Sequence, residues 1–195
     1  SLTTDEDQPV SGTLTGGDVD GDPITFAIDP ADARVTTLDA NTGDFTFTPD
    51  LNSNGTQSFT FRTNDGALDS ALATVTVTVD PVQDAPVADA RIAGVNEDDS
   101  VVIALSGSDP DGDPLTFAID SPPTNGALGT VVSTGATTAT VEYTPTANYT
   151  GPDSFTFTVD DGTVASAPAT VSITVSNVND PPTVDDVSDT TDEDV

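Results

Sequence analysis

The chain repeats itself, and the length of the repeat limits what it can fold into. A shift of 91 residues lays GGDVDGDPITFAID (16–29) on GSDPDGDPLTFAID (107–120), and Glu6 on Glu97. A shift of 96 lays SFTFRTNDG (58–66) on SFTFTVDDG (154–162), and Glu97 on Glu193. The second copy thus carries five more residues between Phe117 and Tyr143 than the first carries between Phe26 and Phe47. A period this long makes each unit a small domain rather than one turn of a solenoid. Linkers fall at VDPVQDAPVAD (79–89) and VSNVNDPPTVDD (175–186), where proline ends a Val/Thr run and stiffens the chain. The expected organisation is a first module at 1–84, a second at 85–182 and the opening of a third at 183–195. The first module starts at Ser1 without a counterpart of PVADARIAG (86–94), so it is expected to lack its first strand. PTVDDVSDT (182–190) is that strand's counterpart from the next copy.

Within each copy the patterning has period two. FTFTP (45–49), SFTFRT (58–63), ATVTVTVD (73–80), ATVEYTP (139–145), SFTFTVD (154–160) and ATVSITVS (169–176) alternate apolar residues with Thr or Ser. That is the signature of half-buried antiparallel strands. TGD, NDG, DDG, DGDP and NGA between them are turn chemistry. About seven short strands per copy predict an all-β chain of tandem Greek-key β-sandwich modules. Eight of the ten aromatics recur at equivalent positions, which makes them core. Only Phe45 and Tyr149 are left over, too few for an aromatic platform under a sugar ring.

Composition removes several functions. Three arginines face 34 acids, for a formal net charge of −31. That sign excludes nucleic acid and anionic membrane surfaces as partners. No apolar run approaches membrane-spanning length, so no membrane insertion of this segment is expected. With no His, Cys or Lys, the usual bases and activated nucleophiles are missing, and no enzyme is expected. Paired carboxylates of the glycosidase kind would need a deep cleft that small-residue strands do not build.

The acids are placed rather than scattered. Among the expected strands, Asp44 and Glu142 are almost the only ones. The rest gather in TDED and NEDD, in the DxDGDP loops, in the NDG and DDG turns and in the linkers. A solvating surface would spread acids over strand faces, whereas a hard cation needs them in loops that converge. Each of these motifs by itself also reads as an ordinary Asx turn or a solvated bend.

Together the motifs resemble the calcium motifs of cadherin repeats. The chain offers an early Glu, a DxD loop in SGSDPDGDP (106–114), an xDxG turn in VDDG (159–162), a linker NVNDPP (177–182) and an LDxx loop in LDANTG (38–43). TPTANYTGPDSFTFTVDDG (144–162) is closer still to the bacterial cadherin-like repeats of very large secreted surface proteins, many of them adhesins. The resemblance implies Ca²⁺ at the junction of successive modules. Its ligands would be Glu6, Asp39 and Asp84 from the first module, with Asp109, Asp111 and Asp161 from the second. Half-sites at the ends would comprise Asp18, Asp20 and Asp65, and Glu97, Asn179 and Asp180. Asn41 stands where the LDRE glutamate would be, and Pro81 and Gln83 depart from the linker pattern, so one to three ions are expected.

The implied function is a calcium-rigidified extender of a long bacterial cell-surface or secreted adhesin, hence extracellular, with neighbouring modules of the same chain as partners. The alternative is direct binding. That would be a head-to-tail, strand-complemented fibre of copies, in which 182–190 fills the strand missing from a neighbour's first module. A glycan is the other direct ligand.

Overall fold

The computed structural model describes residues 2–182; Glu193 and the expected third module at 183–195 lie outside the described residues. The chain forms two compact units, Ser1–Asp84 and Ala85–Val195. Among the described residues every regular element is a strand, and no helix is long and apolar enough to cross a membrane.

Unit 1 contains β1 (Leu2–Asp5), β2 (Val10–Thr13), β3 (Thr25–Ile28), β4 (Val35–Leu38), β5 (Asp44–Phe47), β6 (Gly55–Asn64) and β7 (Ala73–Asp80). Its two sheets run β1-β7-β6-β3 and β2-β5-β4. Unit 2 contains β8 (Val87–Ala88), β9 (Arg91–Asn96), β10 (Val101–Ser108), β11 (Thr116–Ser121) and β12 (Gly126–Leu128). β13 (Val132–Gly135), β14 (Thr138–Pro145), β15 (Gly151–Asp160) and β16 (Ala169–Ser176) complete it. Its sheets run β9-β16-β15-β11 and β12-β14-β10-β8, with β13 also on β14. Each unit is therefore a β-sandwich, and the six alternating runs singled out in the sequence all form strands, while the strand expected at 182–190 falls outside the described residues. Three of the five extra residues of the second copy lie between Leu128 and Tyr143, which pair as Val35 and Phe47 do in the first, and the other two lie before Leu128.

Alternation builds the core. In β16 every second side chain is buried, from Ala169 to Val175. Phe47, Val77 and Val79 in unit 1, and Tyr143, Phe155, Phe157 and Val171 in unit 2, are almost wholly removed from water. Phe45 and Tyr149, unassigned from sequence, are structural as well. Phe45 is buried edge-on to Phe59, with ring centroids 5.2 Å apart. Tyr149 packs on the unit 2 core and donates its hydroxyl to the Pro152 carbonyl.

The two cores solve one layer differently. Ile103 and Val141 fill it in unit 2, while the equivalent residues in unit 1 are Gly12 and Phe45. A Cβ on Gly12 would sit 2.9 Å from the Phe45 ring and 3.0 Å from Leu2, so the large ring takes the space the small residue vacates. Gly12→Val should therefore destabilise unit 1 by about 1–3 kcal/mol, the usual cost of overpacking. Denaturant unfolding followed by circular dichroism checks this, because its first-unit transition should move and its second should not.

Unit 2 buries a polar pair that the sequence patterning missed. Asp153 lies inside β15 and is 9% exposed. Its carboxylate accepts the Tyr143 hydroxyl at 2.8 Å and the backbone N–H groups of Thr124, Asn125 and Ser154. Burial pushes its pKa up, but these four donors outweigh burial and hold it below its ordinary value of 3.8. Burial, reinforced by the bond to Asp153, pushes the Tyr143 hydroxyl well above its ordinary range. Asp153→Ala leaves those donors unmet and should cost unit 2 about 1–3 kcal/mol. A carboxylate with a lowered folded pKa stabilises above its unfolded pKa and loses that effect as pH falls. The gap between wild type and variant should thus be full at neutral pH and shrink below about 3.8. Both tyrosines lie in unit 2, so tyrosine fluorescence during denaturation reads this unit alone.

Candidate metal centre

Strand direction gives each unit a leading end, where the DxDGDP loop lies, and a trailing end, where its last strand stops. At the trailing end of unit 1, β1 runs parallel to β7 until Asp5 meets Asp80. In unit 2, β9 runs parallel to β16 until Asn96 meets Ser176. The next residue in each case is the repeated glutamate. Glu6 and Glu97 are both buried, each 3% exposed. Glu6 Oε1 accepts the Val82 N–H at 2.6 Å. Glu97 Oε1 accepts the Val178 N–H at 2.8 Å and the Asn177 side-chain amide at 2.7 Å. Each glutamate thus ties down the linker that leaves its own unit. Glu6 also offers a carboxylate oxygen within 4.8 Å of one from Asp84. Asn177 was not foreseen, since Pro81 occupies its place in the first copy.

Asp7 and Asp98 follow these glutamates with left-handed backbone, φ 60° and 66°, a region Asp tolerates better than most residues. Asp7 accepts the Asn52 N–H at 2.9 Å, and Asp98 that of Asn148 at 3.5 Å. Asn52 and Asn148 are themselves left-handed. The loop that reaches the trailing end is therefore PDLNSNG (49–55), matched by PTANYTG (145–151). Asp39, expected there from its LDxx motif, lies elsewhere in unit 1. It opens the β4–β5 turn, where Thr13 pairs with Asp44 and Phe26 N–H reaches the Ala40 carbonyl. The neighbouring strand meets the trailing end only at Val10 and Phe47. LDANTG imitated the motif locally, but sheet register carries it to the leading side. The 96-residue match of the two Asn loops was the usable signal.

The leading ends of the two units share one loop geometry. Asp18 Oδ1 accepts the N–H groups of Asp20 and Asp22 at 2.7 and 3.2 Å. Asp109 Oδ1 accepts those of Asp111 and Asp113 at 2.9 and 3.2 Å. The xDxG turns flank these loops, since β11 and β15 pair Thr116 with Asp160 and β3 and β6 pair Thr25 with Asn64. Asp65 Oδ1 accepts the N–H groups of Ala67 and Leu68, both at 2.7 Å, and the two donors hold its carboxyl below the usual range. Asp161 Oδ1 accepts those of Thr163 and Val164. All these motifs are Asx turns.

Asp109 goes further than a turn. Its Oδ1 folds the loop, while its Oδ2 is buried without a hydrogen-bond partner. Asp109, Asp111 and Asp113 each offer a carboxylate oxygen within 4.8 Å of the others. Like charges so close repel by between about 1 kcal/mol in water and about 4 near a protein surface, for each pair. A buried oxygen lacking a donor, among three convergent carboxylates, fits a hard cation. Calcium accepts such all-oxygen, irregular sets. Asp113 was absent from the expected ligands, although the alternate-residue acids of DPDGD carry it. Asn179 and Asp180 follow Val178, on the trailing side of unit 2.

The bacterial Ig domain family model matches residues 1–78 and 83–174. The chain belongs to that family. Integrin beta-like protein A of Dictyostelium discoideum is similar at 27% identity over 94% of this chain, which spans 12% of that relative. Among solved structures, human CDH23 EC21-23 is similar with a TM-score of 0.50 at 18% identity, covering 89% of this chain and 72% of that one. An endo-fucoidan hydrolase of glycoside hydrolase family 107 matches with a TM-score of 0.41 at 25% identity, over 91% of this chain and 28% of its own. The fold is an all-β, Ig-like sandwich, shared with the cadherin-like repeats of CDH23 EC21-23.

A structural role for the buried glutamates is directly testable. Glu97→Ala removes the acceptor of two donors and should lower unit 2 stability by about 1–3 kcal/mol. The loss should persist in excess chelator, as measured by tyrosine fluorescence.

Proposed function

We propose that this chain is a non-enzymatic extender of a secreted or bacterial cell-surface adhesin, rigidified by calcium at its module ends. The observation that carries the reading is the Asp109 loop, with three convergent carboxylates and one buried oxygen left without a donor. Asp161 stands on the same end of its unit, and Glu6 and Asp84 approach each other on theirs. Asp84 immediately precedes Ala85, where the second unit starts. In this proposal the acids that close one module and the loop that opens the next share calcium. Asp18, Asp20 and Asp65 would meet a preceding module, and Glu97, Asn179 and Asp180 a following one. The similarity to Integrin beta-like protein A of Dictyostelium discoideum supports adhesion.

The mechanism is electrostatic. Without the cation, repulsion among the carboxylates favours states that keep the module ends apart. With it, each carboxylate exchanges a repelled neighbour for a shared ion, and the linker loses its freedom. After chelation, added calcium should raise the melting temperature by several degrees and narrow the small-angle scattering profile to one shape. Sodium chloride of equal ionic strength serves as the control. Equal responses to the two salts would leave the acids as a solvating surface.

A further inference from the structure

In unit 2 the strand β9 forms one edge of its sheet. Its partner on one side is β16, and among the described residues no strand lies on the other. The Glu97 N–H bonds the Ser176 carbonyl, so by alternation the odd-numbered residues of β9 face β16. Ile92, Gly94 and Asn96 therefore turn their main-chain N–H groups to the open side. The usual guards of an edge are missing there. β9 has no proline, no lysine and an unbroken register, whereas β11 at the far edge of the sheet carries a bulge between Ile119 and Ser121. Two further features have no cause in the packing of the unit itself. Ile92 is 88% exposed, and Val102 of β10, 66% exposed, lines the same cavity of about 270 Å³. Gly94 weakens the strand, yet its backbone is not left-handed, and a Cβ there would touch only the Thr174 carbonyl oxygen, at 3.9 Å. The first copy carries Thr3 at that place, paired with Thr78 as Gly94 is with Thr174. A strand glycine that the fold does not need marks a close approach of another backbone.

We infer that β9 pairs antiparallel with β9 of a second copy of this chain, about a two-fold axis that sets Gly94 opposite Gly94. Two four-stranded sheets, each ordered β11-β15-β16-β9, then join as one sheet of eight strands. In this register Ile92 lies opposite Asn96 of the other copy, and the outward N–H groups find carbonyl partners. Gly94 facing Gly94 leaves the outer face clear at the axis, so that Ile92 of each copy can lie over the paired backbones and leave water. Charge selects the same occupant. Each chain carries a net charge of −31, so most approaches of two copies are repelled. On this side the Asp89 carboxylate accepts the Ser106 hydroxyl, and the exposed Arg91 donates to the same hydroxyl oxygen at 2.7 Å. The register brings Arg91 opposite Glu97 of the other copy, beside the exposed Asp98 and Asp99, and symmetry repeats the contact. An isologous contact of this kind closes at a dimer. It does not rest on calcium.

Sedimentation velocity of the full chain over a wide concentration range tests this, in excess chelator and again with calcium. At about 0.15 M ionic strength, where charge is screened beyond about 8 Å, a concentration-dependent dimer should form in both buffers. Ile92→Lys and Gly94→Pro should each abolish it. Neither should move the unit 2 unfolding transition read by tyrosine fluorescence, because Ile92 faces solvent and the Gly94 N–H points away from β16. Cysteine, which the chain lacks, reads the register. Under mild oxidation Gly94→Cys should form a covalent dimer, since residues facing across an antiparallel pair fit disulfide spacing. Ala118→Cys, also exposed but on β11, should stay monomeric under the same conditions. Wild type that is monomeric in both buffers would overturn the inference. So would a dimer that survives Ile92→Lys or Gly94→Pro, or an Ala118→Cys chain that cross-links as readily as Gly94→Cys. A dimer found only with calcium would refute this inference and leave the calcium reading standing.

Discussion

A carboxylate taken out of water must be met by donors or by a cation, and this requirement organises both ends of each unit. At the trailing end the first long strand runs parallel to the last and delivers a glutamate beneath the departing linker. Glu6 and Glu97 answer with Val82 and Val178. The linker is thereby held by a charge-assisted bond before any ion is considered. At the leading end backbone N–H groups fold the DxDGDP loops around one aspartate oxygen. In Asp109 the second oxygen is left buried and without a donor. The asymmetry between the ends is chemical: one carboxylate is satisfied by its own unit, the other is not.

The two units show how one pattern tolerates different fillings. Gly12 with Phe45 replaces Ile103 with Val141, and Phe47 beneath Arg34 replaces Tyr143 bonded to Asp153. In each pair a change in one residue is answered in the residue that packs against it, as close packing requires.

Much of this was legible in the sequence because alternation and repetition report sheet geometry directly. ATVSITVS could only place Val171, Ile173 and Val175 on one face, and the repeat fixed which strands correspond. The DxDGDP loops were also legible, since their Asx turns are made within five residues. What failed depended on register between distant strands. LDANTG resembles a ligand loop by local composition, yet the pairing of Thr13 with Asp44 carries Asp39 away from Glu6. Asn52 and Asn148 were overlooked because their roles come from where the loops arrive, whereas Asp113 lies within the local DPDGD pattern. Asp153 broke the rule that acids avoid strands, and only its four donors explain it.

The account rests most heavily on calcium at the Asp109 loop. Calorimetric titration of calcium into the chelated chain, beside Asp109→Asn, addresses it most directly. The account predicts saturable binding heat with at least one ion per chain, and a loss of affinity of about tenfold or more in the variant, in line with removing one charged ligand. Heat no greater than dilution, or binding unchanged in Asp109→Asn, would contradict it.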